Sequence, residues 1–181
     1  MSVYADNTII ERNSYANTIK LFISQPMHGR TAEDILESAD KIATKYIEYI
    51  NPDRMVLKED DMCVSDGAAC IACYSVVLND EDYDGGIEDL TYVVLNNVYH
   101  KPAPEGANER IWMLGESIRA MAKANVIIFA PNVRSNSAGV TVEEAVADQY
   151  GLKQYFVFDD DPKVYEKFTR THAVRESYKE V

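Results

Sequence analysis

Apolar residues recur along the chain in blocks whose periods predict alternating strands and helices. Ile19 to Ser24 reads Ile-Lys-Leu-Phe-Ile-Ser, a first strand that breaks at Gln25-Pro26. Met27-His28-Gly29-Arg30 forms a loop, and Thr31 followed by Asp34 has the form of a capping box. Beyond it Ile35, Leu36, Ala39, Ile42, Ala43, Tyr46 and Ile50 repeat at helical spacing, while Glu33, Glu37, Lys41, Lys45 and Glu48 cover the other face. This predicts an amphipathic helix packed on a sheet. Asn51-Pro52-Asp53 stops it, and Arg54 to Lys58 reads as a second strand. Strand, helix and strand at this spacing make a βαβ unit with a right-handed crossover.

From Glu59 to Asn108 the pattern weakens and reads as an insertion between sheet elements. Ser75 to Leu78 is apolar and β-rich, Thr91 to Tyr99 fits a strand or a helical turn, and Lys101 to Gly106 is a Pro-rich loop. The acidic turn Asp80 to Asp84 reads as solvated, because Glu88 lies too close to close a calcium loop. Order returns at Glu109. Ile111, Trp112, Leu114, Ile118, Met121, Ala122 and Ala124 fit a helix leading into Val126 to Ala130, an apolar run bounded by Asn125 and Pro131. Such a run predicts a strand buried on both faces. A polar loop, Asn132 to Ser137, carries Arg134. Gly139 and Thr141 then lead into a helix with Val142, Val146, Ala147 and Tyr150 inward and Gly151 as its stop. Gln154 to Phe158 is another strand, broken by Asp159-Asp160-Asp161-Pro162, and Pro162 to Lys179 reads as a surface helix. The expected fold is α/β, a doubly wound parallel sheet of flavodoxin or Rossmann type. Residues 1–18 form an arm, 19–158 the domain with its insertion at 59–108, and 159–181 a helical tail.

Composition narrows the ligand. The chain has 181 residues, enough for one domain with a substantial core. Its net charge of −12 argues against contact with a nucleic-acid backbone and leaves small molecules or protein partners. No apolar run approaches the ~20 residues that span a bilayer, and Met1 to Asn17 lacks the apolar core of a signal peptide. A soluble cytoplasmic protein, off the membrane, is expected. Cys70-Ile-Ala-Cys73 has C-x-x-C spacing, but no second pair or nearby His pair completes a zinc site, so reduced, half-buried thiols are expected and no metal.

Candidate chemistry lies where the Val126 strand hands over to its helix. Loops at the carboxyl ends of buried strands are where open α/β sheets bind ligands. Glu143 and Glu144 follow closely, the wrong charge for a phosphate cradle. They are either capping charges that favour the helix dipole or carboxylates kept ionised for chemistry.

Two motifs carry a resemblance. Leu21-Phe22-Ile23-Ser24-Gln25-Pro26-Met27-His28-Gly29 is similar to the first strand and Gly-Pro-Met-like loop of the nucleoside 2-deoxyribosyltransferase superfamily. Ser137-Ala138-Gly139-Val140-Thr141-Val142-Glu143-Glu144-Ala145-Val146-Ala147-Asp148-Gln149-Tyr150-Gly151 matches that superfamily's Gly, Glu, Ala and Gly spaced four apart, at Gly139, Glu143, Ala147 and Gly151. The small bacterial and phage branch looks nearest, and the match extends over the helix from Trp112 to Ala124.

The resemblance implies that Glu143 is a nucleophile attacking C1′ of a (deoxy)ribose and expelling the nucleobase. A second base or water then resolves the glycosyl-enzyme ester. It implies a nucleoside or nucleotide as ligand, no cofactor, and a homo-oligomer. The substrate-binding candidates are Ser24, Gln25, Pro26, Met27, Gly29, Arg30, Ser117, Asn132, Arg134, Ser137, Gly139 and Thr141. Among them Met27 would pack on the base, and Arg30 or Arg134 would meet a 5′-phosphate; the plainer readings are a core contact and solvated charges.

The chain departs from the family at Ser117, where an Asp is usual, and at Ala124-Asn125 in place of Ala-Asp. General-acid help to the leaving base is therefore unassigned, with Asp82, Asp84, Glu88 and Asp89 as substitutes within the insertion. The alternatives are a catalytically inactive nucleotide-binding protein, acting as sensor or sequestering agent, and an acidic interaction protein.

Overall fold

The structure, a computed structural model, describes residues 18–59, 70–78, 90–98, 102–130, 137–158 and 163–167. Its strands are β1 (Thr18–Ser24), β2 (Arg54–Glu59), β3 (Cys70–Leu78), β4 (Leu90–Leu95), β5 (Val126–Phe129), β6 (Lys153–Val157) and β7 (Val164–Lys167). Its helices are α1 (Ala32–Ile50), α2 (Glu109–Met121) and α3 (Ala138–Tyr150). The strands form one mixed sheet in the order β2-β3-β4-β1-β5-β6-β7. β4, β1, β5 and β6 run parallel, while β2-β3, β3-β4 and β6-β7 pair antiparallel.

The sheet corrects three expectations. First, it is mixed, with a parallel middle and antiparallel flanks. Second, within the stretch read as an insertion, β3 and β4 are strands of the sheet itself and β4 pairs directly with β1. β2 consequently sits three places from β1, although the two still point the same way through two antiparallel steps. Third, Val164–Lys167 is a strand, where a surface helix was expected; four residues suffice because the chain reverses onto the free edge of β6. The remainder of the expected tail, and the arm before Thr18, lie outside the described residues.

Local chemistry accounts for the elements that agree. The Thr31 side chain accepts from the Asp34 amide, and the Asp34 carboxylate accepts from the Thr31 amide, so two of the free donors at the start of α1 are satisfied. α3 ends at Gly151, whose φ of 65° is the left-handed geometry that a side chain disfavours. The middle of the sheet is dry: Leu21, Phe22, Ile127, Ile128 and Phe129 are all 0% exposed.

Side-chain alternation assigns the faces. Ile23, Ile128 and Tyr155 are neighbours across β1, β5 and β6. Tyr155 meets Tyr46 of α1 at 4.9 Å between ring centroids, and Tyr92 meets it edge-on at 6.4 Å, so this is the α1 face. Phe22, Ile127 and Gln154 point the other way, where Gln154 donates to Asp148 of α3 at 2.9 Å. A bulge between Cys70 and Ala72 places Cys70 beside Cys73 and Val93 on that second face. Cys70 is a buried thiol, whereas Cys73 is disulfide-bonded, so the expectation of reduced thiols fails at Cys73. Cys63 lies outside the described residues. Among those residues no helix is long and apolar enough to cross a membrane.

Candidate active site

Three elements converge on Glu143. Ser24 is the last residue of β1 and points to the face that carries α3. Ser117 sits on the inward side of α2, one turn before its end. Ser24 Oγ donates to Glu143 Oε2 at 2.6 Å, and Ser117 Oγ donates to Glu143 Oε1. All three residues are buried, at 0%, 4% and 6% exposure for Ser24, Ser117 and Glu143. A carboxylate tied at both oxygens by hydroxyls from two separate elements has a fixed orientation.

The helix that carries Glu143 starts earlier than expected. Ser137 is its N-cap, accepting from the Val140 amide, so Gly139 and Thr141 already lie inside the helix. Glu143 therefore stands in the second turn, and the first turn holds no acid. The helix dipole weakens beyond the first turn, so the two hydroxyls hold the carboxylate more directly than the dipole does. Glu144 turns outward to Lys167 of β7 at 2.7 Å, and Lys167 also reaches Asp148 at 2.8 Å. The two adjacent acids thus have separate tasks.

Burial pushes the Glu143 carboxyl above its ordinary value, and the bonds from Ser117 and Ser24 pull it partway back. The sign for stability follows. A carboxyl raised in the folded state lends stability below its unfolded pKa, and that stability is lost as pH rises through the folded value. Glu143→Gln removes this dependence and should gain stability relative to the wild type between acid and alkaline pH, the difference being larger at pH 8 than at pH 4. Urea denaturation of both proteins at the two pH values measures it; parallel pH profiles would contradict it.

The other candidates divide by position. Gln25 is buried and donates to the Ile35 carbonyl of α1 at 2.9 Å. Arg30 donates to Gln25 Oε1 at 2.8 Å, to the Pro26 carbonyl at 3.1 Å and to the Asp34 carbonyl at 2.7 Å. The guanidinium is thereby engaged in shaping the β1–α1 loop, where the sequence left a solvated charge or a phosphate contact as its readings. Within that loop the Arg30 amide donates to the Met27 carbonyl at 3.2 Å, and Gly29 takes φ 78°. Met27 and Pro26 are half-buried beside it. Thr141 is exposed and donates to the Ser137 carbonyl at 3.1 Å, closing its own helix turn. At Gly139 an added Cβ would meet nothing nearer than Ser137 Oγ at 3.9 Å, so local packing among the described residues does not require glycine there. Asn132 and Arg134 lie outside the described residues, as do Asp82, Asp84, Glu88 and Asp89.

Sequence reasoning missed Asn97. It follows β4 at the same edge of the sheet, is 1% exposed, and donates from Nδ2 to the Ile23 carbonyl of β1 at 2.7 Å. An Asn two residues past a strand reads as a turn former, so only the pairing of β4 with β1 reveals its position. An open groove of about 660 Å³ runs along α1 between Arg30, Lys45 and Val157, and neither Ser24, Ser117 nor Glu143 lines it. Compared with known proteins, the chain matches no protein-family model, no curated protein and no solved structure.

Proposed function

We propose that the protein cleaves or exchanges the N-glycosidic bond of a nucleoside or nucleotide, with Glu143 as the nucleophile. The observation that carries this reading is the buried Glu143 carboxylate, oriented by Ser24 and Ser117 at the carboxyl edge of the parallel strands. We read those strands, with α1 on one face and α2 and α3 on the other, as a doubly wound core. After β1 the chain departs toward β2, and after β5 it departs toward β6 on the opposite side. Such a divergence is where ligands enter open α/β sheets.

A Glu143 oxygen forms a bond to C1′ as the bond from C1′ to the base nitrogen breaks. The bonding pair leaves with the base, which takes up a proton. The carboxylate stabilises positive charge developing at C1′. Water or a second base then attacks C1′ and gives up a proton to solvent, and the Glu143 carboxylate departs with the pair of the ester bond. Ser24 and Ser117 help that departure, since their hydroxyls stabilise the anion that re-forms. No member of this triad supplies the proton for the leaving base.

A second reading, a nucleotide-binding protein without turnover, is favoured by one observation. Where the resembling family has an Asp, Ser117 donates to Glu143, so the triad holds one carboxylate and not two. The two readings separate on incubation with nucleosides and their 5′-monophosphates, free base being measured by chromatography. Base release by the wild type is the expected result. A nucleotide that raises the melting temperature yet stays intact would replace the enzyme reading with the binding one.

A further inference from the structure

Asn97 Oδ1 is a buried acceptor with no hydrogen-bond partner among the described residues. Its amide orientation is fixed, because Nδ2 must face the Ile23 carbonyl and Oδ1 must face away from it. Leaving such an acceptor unpaired costs on the order of 1–3 kcal/mol, and native proteins seldom do so without a use. The chain around it is well tied. Asn96 accepts from the Val98 amide at 2.8 Å, which holds the turn leaving β4.

Position supplies the use. Leu21 of β1 pairs with Val94 of β4, and Asn97, two residues past the end of β4, bonds the carbonyl of Ile23, the residue before Ser24. β4 ends at Leu95, and the Asn97 side chain takes the place of a ladder amide against Ile23. The Asn97 amide is thereby held against β1 at Ile23, the residue before Ser24, whose hydroxyl holds Glu143.

We propose that Asn97 Oδ1 accepts a hydrogen bond from a ring hydroxyl of the substrate's sugar. This rests on Glu143 attacking C1′. In that displacement the base leaves from the side opposite the carboxylate, so groups flanking Glu143 face the sugar and not the base. The 2′- and 3′-hydroxyls lie on the ring carbons next to C1′ and one beyond, the part of the substrate nearest an acceptor whose amide is tied to Ile23, next to Ser24. Asn97 is then the residue that reads the sugar, while Glu143 performs the chemistry.

The test compares kcat/KM for one base carried on ribose, 2′-deoxyribose and 3′-deoxyribose, in the wild type, Asn97→Ala and Asn97→Asp. Asn97→Ala should lose roughly tenfold to a hundredfold on the nucleoside whose hydroxyl is read. It should lose little on the analogue lacking that hydroxyl, so the wild-type preference collapses. Asn97→Asp keeps an acceptor but loses the donor to the Ile23 carbonyl, so it should keep part of the preference at a lower melting temperature. A purely structural role would lower the melting temperature of both variants and leave the ratio between sugars unchanged, and that result overturns the proposal. Equal losses on all three sugars overturn it as well. A wild type inert toward every nucleoside defeats the glycosidic reading itself, whereas an active wild type with an Asn97-independent preference defeats this inference alone.

Discussion

Glu143→Ala should lower the rate of base release by at least about 10³-fold, the scale on which removal of a covalent nucleophile acts. The fold should survive the change. Ser24 and Ser117 lose a shared acceptor, but a hydroxyl can turn toward another partner or toward water entering the space the carboxylate leaves. Burial also disfavours the ionised carboxyl, so its removal relieves an electrostatic cost at neutral pH. Circular dichroism of the variant should match the wild type, and its melting temperature should not fall steeply. Turnover that persists in Glu143→Ala would assign the chemistry elsewhere. Loss of turnover accompanied by unfolding would make Glu143 a structural tie among β1, α2 and α3.

Phe129→Ala should destabilise the protein by about 3–5 kcal/mol, the usual cost of emptying a large aromatic site in a core. Phe129 is 0% exposed and its ring stacks on Phe156 at 5.2 Å between centroids. It pairs with Ser24 across β1 and β5 and shares that residue's face, so it forms the floor on which the site stands. The melting temperature should fall by roughly 10 °C for a chain of this length. Tyr150→Ala, at a residue 75% exposed, should change stability by less than about 0.5 kcal/mol and serves as the control. Comparable losses in the two variants, read by thermal or urea unfolding, would contradict the burial assigned to β5.

The elements legible in the sequence are those that satisfy their own local rules. Thr31 and Asp34 announce α1, the run Val126 to Ala130 announces β5, and Gly151 marks the end of α3. β3 was harder to read because Cys70, Ile71 and Ala72 bracket a bulge, and a bulge breaks the alternation that identifies a strand. β7 is only Val164–Lys167 and owes its pairing to the edge of β6, a partner no local window contains. The start of α3 was misplaced by about a turn, because Gly139 and Thr141 resemble entry residues while Ser137 supplies the cap.

The site was legible in its residue types and less so in its contacts. Glu143 stood out only through the resemblance to a family motif, and Ser24 and Ser117 were both candidates, yet their joint hold on one carboxylate depends on how three elements meet. Arg30 invited a phosphate because guanidinium groups bind anions. In the fold it faces three oxygens of its own loop and first helix turn. Asn97 went unnoticed because its significance is its nearness to Ile23, far away in the sequence.

The most direct test of the central claim is the intact mass of the protein after incubation with a nucleoside fluorinated at C2′. An electron-withdrawing fluorine there destabilises positive charge at C1′ and slows breakdown of a glycosyl-enzyme ester. A mass increase equal to the fluorinated sugar is expected, located by peptide mapping on Glu143 and absent from Glu143→Ala. Free base released in full while the protein mass stays unchanged would contradict a covalent role for Glu143.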